Sequence, residues 1–431
     1  MSIYVVSYKA PKGKEISLDQ ILFGEVAIGG THRERRYPGT VTRRYDSLPD
    51  SFDAANDIER LMKNLQSLSF MCNHERNLEA EYRRFKIPKK SGGMRDICAP
   101  LSSLYVDQIE LRRVMNSSAD ALFHTAAFAY SKGRSILHCV QRHQANQSKW
   151  FLKLDFQDFF GSTNKAFTMR QLSQIYPFSE IIKHQEGEEL LSKALDICFL
   201  NDGLPQGTPI SPMLTNLIMI PFDHEMNKIL HSRGFVYTRY ADDIQISHKE
   251  KFNPGEVCNL IKIQLRQMNM PYKLKTEKTR FGSSSGRNWN LGLMLNRNNK
   301  ITLGHKFHKQ MKARIFSFLM DEKNGNPWTL KECERLAGQV AYFKSIEPQT
   351  VQFITTAISK KVGLQFAETL KKRLNPKFAR QLEHRRFRAR INNHGRNIIN
   401  NEPFGPVPDP AEIIFERNMD NDINIPWLPF D

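Results

Sequence analysis

Two adjacent carboxylates stand in the segment Tyr240-Ala241-Asp242-Asp243, between the β-rich runs 235–240 and 244–247. Strand, tight turn, strand is the expected local structure. Carboxylates held side by side repel each other unless a cation neutralises them. Aspartate also suits turns for an ordinary reason, because its short side chain bonds nearby backbone. A third acid, Asp155, ends the apolar run Phe151-Leu152-Lys153-Leu154 and is followed by Phe156, Phe159 and Phe160. An acid in such surroundings needs a partner or a metal. Three carboxylates on neighbouring strands would form an oxygen-rich site for two Mg²⁺ ions. One ion would lower the pKa of a hydroxyl nucleophile, and both would stabilise the charge of an in-line phosphoryl transfer. Asp158 competes in the same strand exit, but its different facing and later position mark it as a solvent or structural acid.

The surrounding elements must position these groups. Ile58, Leu61, Met62, Leu65 and Leu68 recur at helical steps over about 52–85. The stretch Phe85–Ile97, with Gly92-Gly93 at its centre and cations around them, predicts a β-hairpin. Helices are expected over 102–117, within 164–200, over about 209–230, and over 328–345 and 347–373. Residues 150–156 predict a buried strand, and Gly203–Thr208 a loop. The first 50 residues, with Arg33, Arg35, Arg36, Arg43 and Arg44, have little periodicity and suggest a partly irregular basic extension.

The chain carries a formal net charge of +18 over 431 residues. Its last 31 residues hold seven acids and one base, which leaves 62 Lys and Arg against 38 Asp and Glu in the first 400. Such an excess favours an extended anionic partner, typically nucleic acid. The six cysteines form no C-x-x-C pair, which argues against a zinc ribbon or iron–sulfur site and suits a reducing cytoplasm. No 18-residue apolar run is present to span a bilayer, so a membrane partner is not expected.

These segments resemble, in order, the motifs of reverse transcriptases of the bacterial retron and group II intron superfamily. The match spans about 82–345: Phe151–Phe160, Gly203–Pro212, Tyr240–Asp243, Lys278-Thr279 and Trp289–Leu293. The resemblance implies an α+β right-hand polymerase, with fingers and palm over 51–300, an antiparallel palm sheet, and a helical thumb with a basic C-terminal region over 301–400. An acidic, proline-rich tail would follow at 401–431. It implies that Asp155, Asp242 and Asp243 are the metal ligands, with Lys278 as general acid for the leaving pyrophosphate. Lys89, Lys90 and Arg95 would clamp the triphosphate of an incoming dNTP. Phe160 would exclude a ribose 2′-hydroxyl, although plain core packing explains it equally well. Gln206 would contact the nucleotide, while Gly207 lets backbone approach base or sugar closely. Leu291 and Gly292 fall in the primer grip, and Lys132 and Arg134 would bind template or primer phosphates. Arg385, Arg386 and Arg388 belong to a stretch, Lys360–Arg396, with twelve cations and two acids, suited to RNA phosphates. His143 has no ligand-spaced companion and is not expected to bind metal.

Departures from the family patterns narrow the branch. Cys139-Val140-Gln141-Arg142-His143 keeps only the histidine of a retron signature, and Asn290-Leu291-Gly292 stands where retron enzymes carry Val-Thr-Gly. The cysteine spacing is wrong for an intron nuclease domain. The remainder is most similar to the "unknown group" of bacterial reverse transcriptases, many of them anti-phage defence proteins. That resemblance implies copying of a dedicated, structured non-coding RNA encoded nearby into DNA, in the cytoplasm. Three alternatives stay open: a drifted retron or intron enzyme, a template-independent DNA polymerase of the abortive-infection type, and a non-catalytic RNA-binding scaffold. A palm-type nucleotide cyclase lacks support, because an Asp pair stands where a Gly-Gly-acidic turn would be.

Overall fold

A computed structural model of the chain describes residues 2–9, 39–48, 54–72, 76–89, 92–118, 123–131, 133–286 and 291–374. The chain divides into two compact units, Met1–Lys300 and Ile301–Asp431.

The first unit opens with β1 (Ile3–Lys9), paired antiparallel with β2 (Gly39–Tyr45). Both ends of the basic N-terminal segment thus form one ladder, and residues 10–38 between them lie outside the described residues. Tyr4 anchors it, its N–H donating to Gln174 O and its own carbonyl accepting from Tyr176 N. Helix α1 (Ala54–Gln66) follows and is shorter than the 52–85 span expected. Ser67 Oγ turns back onto Asn64 O at 2.8 Å, satisfying a helix-end carbonyl, and by Tyr82 the chain is already a strand.

Strands β3 (Tyr82–Pro88) and β4 (Met94–Pro100) form the expected hairpin, with Gly92 and Gly93 at φ +84° and +80°. Both glycines occupy the left-handed region that a tight reversal demands. Helices α2 (Ser102–Ser118) and α3 (Ile136–Ala145) precede β5 (Trp150–Gln157). Next come α4 (Lys165–Leu172), the single turn α5 (Phe178–Ile181), α6 (Gln185–Leu195), α7 (Ser211–Ile218) and α8 (Ile220–His231). The last two replace the single helix expected over 209–230. Pro221 lacks the N–H that would continue the ladder, so the helix breaks at Met219 and restarts.

Strands β6 (Val236–Tyr240) and β7 (Asp243–His248) are joined by a two-residue turn, and α9 (Pro254–Gln267), β8 (Lys273–Leu274) and β9 (Arg280–Ser283) complete the sheet region. The five-stranded sheet runs β6-β7-β5-β8, with β9 also paired to β5, and every pairing is antiparallel. Side chains alternate across it. Leu152, Leu154, Phe156, Ile244 and Ile246 enter the main hydrophobic core with α7 and α8. Lys153, Asp155, Asp243 and Gln245 therefore project from the opposite face. The short strand β10 (Met294–Leu295) lies at the end of this unit.

The second unit holds β11 (Ile301–Thr302), α10 (Gly304–Lys323), α11 (Leu330–Ile346) and α12 (Pro348–Val362), with further helix over 366–374. A capping box starts α11: Glu332 N donates to Thr329 Oγ1, while Thr329 N donates to the Glu332 carboxylate at 2.8 Å. The single helical run expected over 347–373 is broken at Gly363, whose φ of +84° caps α12 in the left-handed region.

Candidate active site

The pairing of β5 with β7 sets Asp155 directly opposite Asp243. Facing residues of an antiparallel pair have Cα atoms about 4.5–5.5 Å apart. Asp242 lies in the adjoining turn, where its carbonyl accepts from Phe156 N at 3.2 Å. Three acids from two distant sequence segments are thus brought together, Asp155 being only 6% exposed.

Tyr240 pairs with Asp243, so only Ala241 and Asp242 turn the chain. Ala241 takes φ +56°. A left-handed first residue in a two-residue hairpin loop normally calls for glycine, because a Cβ is crowded there. Such strain persists only where surrounding structure enforces it.

Two lysines face the acids. Lys278 Nζ donates to Asp155 Oδ2 at 2.8 Å, and Lys153 Nζ donates to Asp243 Oδ2 at 3.0 Å. Burial, then Asp243 and Asp155, push the Asp242 carboxyl up to about 6. Burial also raises Asp243, against the opposing pull of Lys153. Burial alone would lower Lys278, but its hydrogen bond and attraction to Asp155 outweigh that and raise it.

Among the described residues, no three His, Cys, Asp or Glu side chains already converge as a metal cage. The residues nonetheless fit a hard divalent cation. The donors are all carboxylate oxygens, the kind that Mg²⁺ takes. Asp243 Oδ1 is buried without a hydrogen bond, although the Lys153 ammonium lies 3.0 Å away outside bonding geometry. A buried oxygen left in that state is stabilised by a cation.

The loop after β5 closes one side of the site. Phe160 is half-buried, packs edge-on against Phe159, and its carbonyl accepts from Leu204 N at 3.1 Å. Gly203 is pressed against Gly161, whose carbonyl oxygen would lie 2.6 Å from an added Cβ. Asp158 is exposed at φ +42° with its carboxylate folded over Gly161, a structural part of the turn as expected.

Gln206 and Gly207 lie in a loop that packs against the hairpin strand β4. Gln206 O accepts from Cys98 N at 2.8 Å, tying this loop to β4. Gly207 sits at φ +110°, and an added Cβ would meet Ile97 Cγ2 at 2.7 Å. The approach of the hairpin strand therefore already calls for glycine here. Lys89 and Arg95 are exposed at the tip and on β4 of that hairpin.

Arg134 braces its own loop, its Nη1 donating to His124 O at 2.7 Å and Ala127 O at 2.6 Å. A phosphate contact would have to share that guanidinium. His143 is fully buried, with Nδ1 2.6 Å from Ser247 Oγ and Nε2 2.8 Å from Thr238 Oγ1, so both nitrogens are taken. Leu291 and Gly292 form a turn with φ of +53° and +87° just before the buried Leu293. Lys90, Lys132, Trp289, Asn290, Arg385, Arg386 and Arg388 lie outside the described residues, as do Arg33, Arg35 and Arg36. Arg44 is paired with Glu225 at 2.9 Å.

Lys153, Arg239, Asp223 and Asn216 were not singled out from the sequence. A signal existed for three of them: each is a charge inside an apolar run, and a charge buried by its neighbours must find a partner. Arg239 and Asp223 are both fully buried and bonded to each other.

Residues 87–319 match the model of the family described as reverse transcriptase (RNA-dependent DNA polymerase). The chain is 31% identical to the retron Ec73 reverse transcriptase of Escherichia coli over 62% of its length and 83% of that protein. It is 26% identical to the retron Ec83 reverse transcriptase of Escherichia coli over 68% of its length and 90% of that protein. Among solved structures, apo telomerase from Candida tropicalis matches with a TM-score of 0.41 at 12% identity, covering 70% of this chain and 63% of that one.

Proposed function

The chain belongs to the reverse transcriptase (RNA-dependent DNA polymerase) family, as a retron-like bacterial member with the α+β right-hand polymerase fold, and from that premise we propose how its site works and what it copies. It is an RNA-directed DNA polymerase. The observation that carries the mechanistic reading is the facing of Asp155 and Asp243 across the β5–β7 ladder, with Asp242 in the turn.

Asp155, Asp242 and Asp243 would hold two Mg²⁺ ions. Bound there, the metal supplies a lowered pKa at the primer 3′-hydroxyl and compensation for the charge of in-line transfer. The protein's own groups do the rest. Lys278, 2.8 Å from Asp155, keeps a protonated ammonium beside the reacting centre, from which a proton can pass to the leaving pyrophosphate. Arg95 and Lys89 present cations where a triphosphate enters, Arg95 with a two-pronged donor geometry. Phe160, fixed by the contacts of its loop, sets an aromatic edge beside the sugar and favours dNTPs over rNTPs.

The template is proposed to be a dedicated, structured non-coding RNA from the neighbouring locus, copied into DNA during defence against phage. The excess of basic residues over the first 400 supports a large RNA partner. The likeness to the retron Ec73 and Ec83 enzymes favours a second reading, a retron-type enzyme. Action in the reducing cytoplasm fits the free thiols of Cys98, Cys139, Cys198, Cys258 and Cys333. Crosslinking in cells followed by sequencing of bound RNA and product DNA tests the template. One dominant transcript from the adjoining locus supports the reading. Bound RNAs that mirror cellular abundance refute it.

A further inference from the structure

Behind the turn that carries Asp242 lies a charge pair closed off from solvent. Arg239, in β6, and Asp223, in α8, are both 0% exposed. The guanidinium grips the carboxylate with Nε 2.9 Å from Oδ1 and Nη2 2.7 Å from Oδ2. Its remaining donor, Nη1, reaches Asn216 Oδ1 at 3.1 Å and the carbonyl oxygen of Ala241 at 3.1 Å. Ala241 is the strained residue that reverses the chain into Asp242 and Asp243.

The same arginine is fixed from its other sides. Its N–H donates to Ala126 O at 2.7 Å, and its carbonyl accepts from Phe128 N at 2.9 Å. Asn216 Nδ2 donates to Ala129 O at 2.6 Å, and the Tyr237 hydroxyl donates to Asp223 Oδ1 at 2.7 Å. Helix α7, helix α8, strand β6 and the segment 126–129 therefore meet around this one arginine, whose guanidinium passes its last hydrogen bond to the turn.

We propose that the buried Arg239–Asp223 pair, braced by Asn216, is the positioning device that holds the Ala241-Asp242 turn in its left-handed geometry and so aims the catalytic carboxylates. A buried ion pair contributes little net stability compared with well-packed apolar residues. What it does supply is direction, because a planar fork bonds a carboxylate and a carbonyl only at set angles. The pair sits where direction matters, two residues from the turn and with a bond to it. This inference rests on the reading of Asp242 and Asp243 as catalytic.

Primer extension by the full-length protein on an RNA template, with active sites counted by burst titration, provides the test. Arg239→Lys keeps the charge, but one ammonium cannot serve Asp223, Asn216 and Ala241 in the fork geometry. The rate per titrated site should fall roughly 100-fold, the effect of an ångström-scale misplacement, with KM for dNTP changed less than about twofold. The apolar triple variant Asp223→Leu/Tyr237→Phe/Arg239→Met should melt no lower than the parent protein yet show a comparable fall. A merely structural role would lower the number of active sites and leave the rate per site unchanged. Either variant working at the parent rate per site overturns the proposal, and so does failure of both to fold. Alanine at both Asp242 and Asp243, run alongside, separates failure of this inference from failure of the catalytic assignment.

Discussion

Replacing Asp242 by Asn should raise the thermal stability of the metal-free protein. Burial and the two neighbouring carboxylates push the Asp242 carboxyl from 3.8 to about 6 in the folded state. A shift of about two units corresponds to roughly 3 kcal/mol of preference for the neutral form. The group binds its proton more tightly folded than unfolded. Its contribution to stability is therefore fully present below about pH 4, is lost as pH rises through about 6, and is absent above that. Asparagine cannot ionise, so at about pH 7.5 the variant escapes most of the loss, which amounts to roughly 5 °C in melting temperature for a unit of this size. The assay is scanning calorimetry in chelator from about pH 4 to pH 8. Parent and variant should coincide at the acid end and diverge between 3.8 and about 6. An Asn variant no more stable than the parent at neutral pH, or a gap that does not change with pH, would refute the electrostatic reasoning.

Phe160→Ala should admit ribonucleotides, relaxing discrimination by about 2 kcal/mol, as for other single-contact specificity effects; unchanged ratios of rNTP to dNTP incorporation would make the ring core packing only. Gly207→Ala should displace β4, because its Cβ would meet Ile97 Cγ2 at 2.7 Å at φ +110°, and fluorescence-detected dNTP binding should weaken; wild-type binding would contradict the reading of the close approach. Lys153→Met removes the ammonium 3.0 Å from Asp243, so the variant should melt lower in chelator and gain more on adding Mn²⁺ than the parent; an equal gain would show that the lysine is no internal counter-ion.

Much of the sheet was legible because its strands are short apolar runs bounded by turn residues. Trp150–Gln157 and the two strands around Asp242-Asp243 can be read locally, as can Gly92-Gly93. The facing of Asp155 and Asp243 could be anticipated only through resemblance, since register between segments 88 residues apart leaves no local mark. Helix ends were read less well. The apolar steps toward Leu68 continue past Gln66, and those of 347–373 past Gly363, but a helix stops where backbone groups find other partners. The ladder of Ile3–Lys9 with Gly39–Tyr45 was missed for the same reason as the register: its pairing spans a long intervening segment. Arg239 and Asp223 were visible as charges in apolar surroundings, yet nothing in the sequence said that they met each other.

The central claim is that Asp155, Asp242 and Asp243 act together on a metal-dependent transfer to DNA. It is tested most directly by extension of a primer on an RNA template with dNTPs and Mg²⁺, using Asp242→Ala/Asp243→Ala protein whose fold is verified by calorimetry. DNA synthesis should disappear while the fold survives or grows more stable, because two mutually repelling buried acids have been removed. Undiminished DNA synthesis by the folded double variant would contradict the account.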